Sequence, residues 1–263
     1  MMKSLFTSAT GMQAHQTVVD VTANNLANVD TTGFKRSQTE FQDLLYQTVR
    51  AAGTQGSTGY EVPTGIQIGS GVRTSGITKI FSPGVFENTM NDFDMSIQGQ
   101  GFFQILLPSG NFAYTRDGSF RPNSAGQLVT ADGYVLQPPI TVPQDTLQAT
   151  VGTDGTVSVV SAGAPNTSTT IGNILLTRFV NPSGLSSEGR NLFMESTASG
   201  APLQGIPGTV GLGSLQQGFL ERSNVQVVTE LIRLITAQRA FDASQRAVLT
   251  SDQMLQTANG MIR

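Results

Sequence analysis

The chain has 263 residues, of which 15 are Lys or Arg, 18 are Asp or Glu and none is Cys, so its formal net charge is −3. This balance excludes the basic surface that nucleic-acid binding requires, and the lack of cysteine excludes disulfides, thiolate metal sites and thiol nucleophiles. No apolar run approaches the roughly 18 residues that span a membrane, so we expect no direct membrane insertion.

The first residues, MMKSLFTSATGMQAHQ, lack the continuous apolar segment of a cleavable secretory signal. We therefore expect a protein that is cytoplasmic or that leaves the cell by a route that does not read such a signal. Only 13% of the residues are charged, and a surface built from uncharged polar residues resists association weakly. Low charge thus favours self-assembly, although it is also typical of secreted β-rich proteins.

The N-terminal segment predicts an amphipathic helix with a narrow apolar stripe. Small or polar residues alternate with the large ones, a pattern that predicts helix-on-helix packing in which the large residues of one helix cover the small residues of the other. The large residues recur at every seventh position: Leu5, Met12, Val19 and Leu26. The helix is expected to end within ANNLANVDTTGFKR, residues 23–36, where Asn24, Asn25 and Asn28 precede Gly33. Asn28 is predicted to end the helix in the left-handed conformation, and Gly33 to turn the chain away.

Residues 37–48, SQTEFQDLLYQT, have the Ser37 and Glu40 spacing of a capping box and predict a short helix. AAGTQGSTG, residues 51–59, is then typical of a conformationally permissive connection.

The centre of the chain changes to period-two alternation, as in Phe103, Ile105 and Leu107, and predicts many short antiparallel strands. Asp-Gly pairs at 117–118, 132–133 and 154–155 predict tight turns or hairpins.

The C-terminal segment from about residue 222 predicts a second long helix, because Gly260 is its single glycine and it contains no proline. Its large residues also recur at every seventh position: Val227, Leu234, Phe241, Val248, Leu255 and Ile262. Small or polar residues, such as Ala237 and Ser244, occupy the interleaved positions. The predicted fold class is therefore α+β, with long terminal helices that pair as a coiled-coil-like bundle and a central antiparallel portion in one or two β domains. Two ordinary surface helices on a β core remain the alternative.

Nothing in the sequence points to catalysis, a cofactor or a bound metal. The only histidine, His15, lies on the flank of the N-terminal stripe, and no G-x-S-x-G motif supplies a nucleophilic serine. Asp92 and Asp94 lack the spacing of a calcium loop. Arg116 is the best-placed cation of the β region, and we expect it to bridge a turn or a neighbouring subunit.

Several motifs resemble, in the same order, those of the bacterial flagellar rod and hook family of axial proteins. They span nearly the whole chain: ANNLANVDTTGFKR at 23–36, GQGFFQI at 99–105, AYTRDGSF at 113–120, QLVTADGYVLQP at 127–138 and SNVQVVTELIRLITAQRAFDASQRAVLTSDQML at 223–255. Within the family, the chain length, FQDLLYQT at 41–48 and GIQIGSGV at 65–72 are most similar to the distal-rod branch. Asp30 departs from the Ser or Asn of many relatives.

The resemblance implies a structural subunit that assembles helically with copies of itself into a hollow drive shaft across the periplasm. It implies export without a cleavable signal through the flagellar export apparatus, and contacts with proximal rod subunits, hook subunits and the surrounding periplasmic and outer-membrane rings. It also implies three regions: an inner helical layer (1–30 and 222–263), a connecting β-rich region (31–95 and 200–221, with an extended segment at 46–72) and an outer β domain (96–199).

In this picture the heptad residues and the asparagines pack subunits together. Asn24 and Asn25 are hypothesised to satisfy their amides on a neighbouring subunit and so to fix register. The terminal helices are predicted to be mobile in the monomer and to become ordered on polymerisation. A proximal rod or hook subunit is the nearest alternative, and a secreted β-rich adhesin or glycan-binding protein is an alternative of a different class. A wall-remodelling hydrolase is disfavoured, because no catalytic set is visible.

Overall fold

The computed structural model of the chain describes residues 2–53, 55–57, 60–61, 63–164, 167–209 and 211–261. The chain forms two compact units. The first, called the helical unit, comprises Met1–Ala27, Ser37–Lys79 and Gln226–Arg263. The second, called the β unit, comprises Asn28–Arg36 and Ile80–Val225. The chain thus passes between the units after Ala27, Arg36, Lys79 and Val225.

Two long helices dominate the helical unit and confirm the predicted pairing of the chain ends. Helix α1 is Met2–Ala27 and helix α2 is Val227–Gly260. Both segments lack proline, and α2 ends at a glycine, as the weak helix propensity of that residue favours. Ser4 lies against Ser251 and Asn25 against Glu230, so the two helices run antiparallel.

The strands of the helical unit form a nested antiparallel hairpin. In it β1 pairs with β6, β2 with β5 and β3 with β4. The strands are β1 (Ser37–Asp43), β2 (Tyr46–Arg50), β3 (Gln55–Ser57), β4 (Tyr60–Glu61), β5 (Ile66–Gly69) and β6 (Val72–Lys79). The predicted connection at 51–59 therefore contains a paired strand, and its residues 54, 58 and 59 lie outside the described part of the chain.

The predicted helix over 37–48 is wrong, because β1 and β2 occupy that segment. The capping box does not form: the backbone N–H of Ser37 donates to Asn25, and the Glu40 carboxylate accepts from the Thr78 hydroxyl across the β1–β6 pair. Residues 37–43 pair with β6 and residues 46–48 with β5, and these interstrand hydrogen bonds outweigh the local helical pattern.

Short antiparallel strands make up the β unit. In its largest sheet the strand order is β11-β12-β13-β9-β10-β19-β18, and β17 joins β9 to β20. Smaller pairings are β14-β15-β16, β8 with β21 and β7 with β22. The strands are β7 (Phe86–Asn88), β8 (Met95–Gln98), β9 (Phe102–Leu106), β10 (Phe112–Thr115), β11 (Arg121–Pro122), β12 (Leu128–Val129), β13 (Val135–Gln137), β14 (Thr146–Val151), β15 (Thr156–Ser161), β16 (Ser168–Asn173), β17 (Leu176–Arg178), β18 (Ser186–Gly189), β19 (Leu192–Met194), β20 (Leu203–Gly205), β21 (Ser214–Gln217) and β22 (Phe219–Glu221).

Strand β9 is buried on both faces and lies between two apolar clusters. Phe103 and Ile105 enter the larger cluster, and Phe102 enters an aromatic cluster with Tyr114 and Phe179. The rings in the aromatic cluster meet edge to face, with 4.8 Å between the centroids of Tyr114 and Phe179. The period-two alternation in the sequence thus reflects a strand with two covered faces rather than one.

Two of the three predicted Asp-Gly turns are confirmed. Gly133 between β12 and β13 and Gly155 between β14 and β15 both have positive φ, at 85°. The third pair forms no hairpin between paired strands: Gly118 follows β10 outside regular secondary structure and is buried, and the Asp117 carboxylate accepts the Ser119 N–H at 3.0 Å. A Cβ at Gly118 would lie 1.6 Å from the carbonyl oxygen of Met95, so close backbone approach explains this glycine.

The α+β class, with paired terminal helices and a central antiparallel β portion, is confirmed. Among the described residues, none of α1, α2 and the one-turn 3-10 helix Pro182–Gly184 is long and apolar enough to cross a membrane.

Candidate subunit-packing surface

The helices of the helical unit meet along a line of small and polar residues. Ser4 and Ser251 share a hydroxyl hydrogen bond of 3.2 Å, and a Cβ on Gly11 would lie 3.5 Å from the Ser244 hydroxyl oxygen. Successive contacts along this line are seven residues further along the sequence in α1 and seven residues earlier in α2. At the far end, the Asn25 amide donates to the Glu230 carboxylate at 3.3 Å. Small side chains on this line allow the two backbones to approach closely.

Val18 and Ala237 fall at the remaining step of the same series, where Ala237 is buried and Val18 is half-buried. The prediction that large residues of one helix cover small residues of the other is therefore corrected: small and polar residues form the contact line, and the large residues flank it. All of these large residues are half-buried: Leu5, Met12, Val19, Leu26, Leu234, Phe241, Val248 and Leu255. Val227 is exposed, and Ile262 lies outside the described residues.

Sequence reasoning missed Ser4, Gly11 and Val18, although each stands one position before a predicted heptad residue. A heptad pattern is recognised by its large apolar side chains, whereas close approach of two helices depends on small ones. Beside the contact line, a groove of about 340 Å³ is lined by Val19 and Phe241 with Gln16, Gln238 and Asp242. The apolar flank is thus left partly open within a single chain.

Asn25 acts inside its own chain. It is 1% exposed, its Nδ2 donates to the Ser37 carbonyl at 2.8 Å and to Glu230, and its Oδ1 accepts the Ser37 N–H at 2.9 Å. The amide therefore ties the start of β1 to the helix pair and is not available to a neighbouring subunit, contrary to the hypothesis drawn from the sequence. Glu230 is also buried and lies 3.6 Å from the Arg233 guanidinium. Asn24, next in sequence, is exposed.

In the β unit, Asn28 and Gly33 shape the segment that follows α1. Asn28 does not have positive φ, so the predicted left-handed helix end is wrong there. Its Oδ1 instead accepts the Thr31 hydroxyl at 3.2 Å within a turn. Gly33, which was predicted to turn the chain away from the helix, has φ +68°, and a Cβ there would lie 2.6 Å from the backbone nitrogen of Asp117. Both conformation and crowding thus demand glycine.

The first turns of α2 carry a continuous exposed apolar face. Val228 is 71% exposed and Ile232 is 58% exposed, and these positions lie one turn apart on the helix. Their apolar neighbours are also exposed: Val227, Leu231 and Ile235. An unbroken apolar face of this kind marks an interaction surface rather than ordinary scattered exposure.

The nested hairpin adds further exposed apolar side chains to the helical unit. Leu45, between β1 and β2, is 89% exposed. On the paired strands β2 and β5, Val49, Ile66 and Ile68 are exposed as well. A two-stranded ribbon without a second layer cannot bury both of its faces.

Arg116, which was expected to bridge a turn or a neighbouring subunit, is buried in the β unit and bonds within its own chain, to the bend between β8 and β9. Its guanidinium donates to the Gly99 carbonyl at 2.8 Å and lies 3.4 Å from the Glu221 carboxylate. Lys35 Nζ lies 2.5 Å from the same carboxylate. Burial lowers the pKa of Lys35 and of Arg116, against the opposing attraction of Glu221. Two cations thus share one buried carboxylate.

The described residues hold no group of three or more His, Asp or Glu side chains that is suited to a metal ion. Burial, and secondarily the charge of Glu195, raises the pKa of Tyr114 to about 12, so this buried phenol stays protonated near neutral pH.

Three family models match separate parts of the chain. "Flagella basal body rod protein" matches residues 5–35, "Flagellar hook protein FlgE/F/G D1 domain" matches residues 96–159, and "Flagellar basal body rod FlgEFG protein C-terminal" matches residues 216–261. The matched segments include both sides of the helix pair and the start of the β unit's large sheet.

Full-length relatives are more specific. The chain is 48% identical to "Flagellar basal-body rod protein FlgG" of Caulobacter vibrioides over 98% of each chain. It is 45% identical to the protein of the same name from Borreliella burgdorferi over 100% of each chain. Similarity to "Flagellar hook protein FlgE" of Helicobacter mustelae, at 43% identity, covers 52% of this chain and only 30% of the hook protein. The rod relatives match in both length and sequence, whereas the hook protein matches in part. The chain therefore belongs to the FlgG family of flagellar basal-body rod proteins and is a non-enzymatic structural subunit of the distal rod.

Proposed function

We propose that the chain assembles helically with copies of itself into a hollow tube, with the terminal helices as its innermost layer. In this tube the β regions lie outside, and the assembled shaft transmits motor torque across the periplasm while its channel serves export. The observation that carries the proposal is the exposed apolar face of α2 around Val228 and Ile232. Covering one such side chain contributes roughly 1.5–3 kcal/mol.

The helix pair supports the same proposal. Its contact line uses small and polar residues, so each chain keeps large flanking residues, such as Val19 and Phe241, only half-buried. Copies stacked side by side would cover these flanks and the face of α2 together. The subunit-packing role of the heptad residues and of Asn24 belongs to this proposal, as does the predicted ordering of the terminal helices on polymerisation.

The proposal includes the three-region arrangement expected from the sequence, with 1–30 and 222–263 innermost, 31–95 and 200–221 connecting, and 96–199 outermost. It also includes contacts with proximal rod subunits at one end and hook subunits at the other, and with the surrounding periplasmic and outer-membrane rings. Export would proceed through the flagellar export apparatus. A chain without cysteine forms no disulfide that would hinder passage through a narrow channel.

Replacing Ile232 by Gln tests the proposal directly. Glutamine keeps the helix propensity and removes the apolar surface, so we expect unchanged thermal unfolding of the subunit and loss of rod assembly. Thr250→Gln places the same side chain at an exposed position further along α2 and serves as the matched control. Electron microscopy of basal bodies from cells that carry each variant measures the outcome. Normal rods with Ile232→Gln would reject the role given to this face.

A further inference from the structure

Three segments of the β unit converge near the points where the chain passes between units. They are residues 28–36, 80–85 and 221–225, called the crossing segments here. The chain leaves or enters the β unit directly after Arg36, before Ile80 and after Val225. Any load that passes along the chain from one unit to the other must therefore pass through these segments.

Asn224 bonds to both of the other crossing segments. Its Oδ1 accepts the backbone N–H of Arg36 at 2.8 Å, and its Nδ2 donates to the carbonyl of Ile80 at 2.8 Å and to that of Ser82 at 3.1 Å. The N–H of Ile80 in turn donates to the carbonyl of Arg36 at 2.9 Å. One neutral side chain thus holds backbone groups from segments that are far apart in sequence.

Glu221 repeats this arrangement with a charge. Its Oε1 accepts Lys35 Nζ from the first segment at 2.5 Å and the N–H of Gly84 from the second at 2.9 Å. Lys35 also donates to the Ser82 carbonyl at 2.9 Å, and the backbone carbonyl of Glu221 accepts the N–H of Gly33 at 2.7 Å. The side chains of Lys35 and Glu221 are fully buried. A buried carboxylate that lost these donors would be left unsatisfied at high cost, so the bonds favour remaining formed together.

We propose that Asn224, Glu221 and Lys35 form a junction cluster that makes the three crossing segments a single cooperative element. The three segments then unfold locally together or not at all. Mechanical force on one crossing segment is shared by the other two. This inference concerns the single chain and does not rest on rod assembly. Asn224 and Glu221 are accordingly positioning residues, which act by fixing the backbone of the segments around them.

Hydrogen exchange of the purified full-length chain, followed by mass spectrometry, tests the proposal. In Asn224→Ala we expect the amides of Gly33 and Gly84 to exchange at least tenfold faster, although Asn224 bonds to neither residue. Exchange in β9 should stay unchanged, which shows that the β unit remains folded. The matched control is Asn123→Ala: the Asn123 side chain makes three hydrogen bonds, to Ala125 and Gln127, all within its own loop.

A second variant keeps the test independent of any single substitution. Lys35→Met removes the donor to Glu221 and Ser82 and leaves the neutral pair of Arg116 and Glu221. The proposal predicts faster exchange at Arg36 and Ile80, whereas the hydrogen bonds of the Lys35 side chain go to Ser82 and Glu221. If either variant changes exchange only at the groups to which the replaced side chain bonds, the segments are independent and the proposal is overturned.

Discussion

The side-chain amide of Asn25 donates to the Glu230 carboxylate at 3.3 Å, and both side chains are 1% exposed. Asn25 also bonds to the N–H and carbonyl of Ser37, so one residue joins α1, α2 and β1. The neighbouring Asn24 is exposed. Two adjacent asparagines therefore have different environments, and their substitutions should affect different properties.

Asn25→Ala is expected to destabilise the isolated subunit by about 1–3 kcal/mol, because the N–H of Ser37 and the carboxylate of Glu230 lose their partner in a buried site. Asn24→Ala should change the free energy of unfolding by less than about 0.5 kcal/mol. Thermal unfolding of both purified variants measures the difference. Equal losses of stability would contradict the division of roles between the two asparagines.

The contact line between the helices predicts a strong size limit at Ala237. Ala237→Leu inserts a large side chain where the backbones approach closely and should destabilise the subunit by about 1–3 kcal/mol. Ala243→Leu adds the same atoms at an exposed position of α2 and should be nearly neutral. Chemical denaturation of the two variants is the measurement, and a neutral Ala237→Leu would show that the helices do not meet along this line.

Alanine substitutions at Gly33 and Gly110 distinguish the cost of an unfavourable backbone conformation from the cost of steric crowding. Both have positive φ, at +68° and +84°, but a Cβ on Gly110 meets no atom within 4 Å, whereas one on Gly33 meets the backbone of Arg116 and Asp117. Gly110→Ala should lower stability by roughly 1–2 kcal/mol, from conformation alone. Gly33→Ala should lower it by more than about 3 kcal/mol, because fixed backbone atoms cannot move aside. Similar losses in denaturation experiments would refute the crowding at Gly33.

Asp117 predicts a specific pH dependence. Burial raises the pKa of this carboxyl above its usual value of 3.8, even though Ser119 donates to it. The folded state therefore binds a proton more tightly than the unfolded state, so stability is lost as the pH rises from 3.8 through the folded pKa. Asp117→Asn should remove this loss. The melting temperatures of the variant and the wild type are measured from pH 3 to pH 7, and the difference, variant minus wild type, should increase as the pH rises. A difference that is constant with pH would be inconsistent with a raised pKa.

Much of the fold is predictable because its signals are local and repeated. The heptads in both terminal segments predict the helices, and the period-two runs predict the β centre. In addition, ordered motifs such as GQGFFQI indicate the family. These patterns depend only on neighbouring residues, and the long helices and β9 follow them.

Competition from tertiary contacts explains the failures at β1, at Gly118 and along the helix contact line. Ser37–Asp43 has a helical pattern but pairs with β6, and Gly118 has turn chemistry but is required by the approach of Met95. Likewise, the helix contact line through Gly11 and Ser244 depends on which faces meet, and an apolar pattern does not specify this when small residues form the contact. The partners of Asn25 become visible only once β1 is placed beside the helix pair.

Single-cysteine labelling tests the central claim most directly, since the natural chain has no cysteine that would interfere. Ile232→Cys should react readily with a maleimide in the free subunit and become protected in isolated rods, and denaturing the rods should restore the reaction. Asp132→Cys, at an exposed turn of the β unit, serves as the comparison. If Ile232→Cys reacts as fast in intact rods as in the free subunit, the apolar face of α2 is not covered by assembly, and the proposed helical inner layer is contradicted.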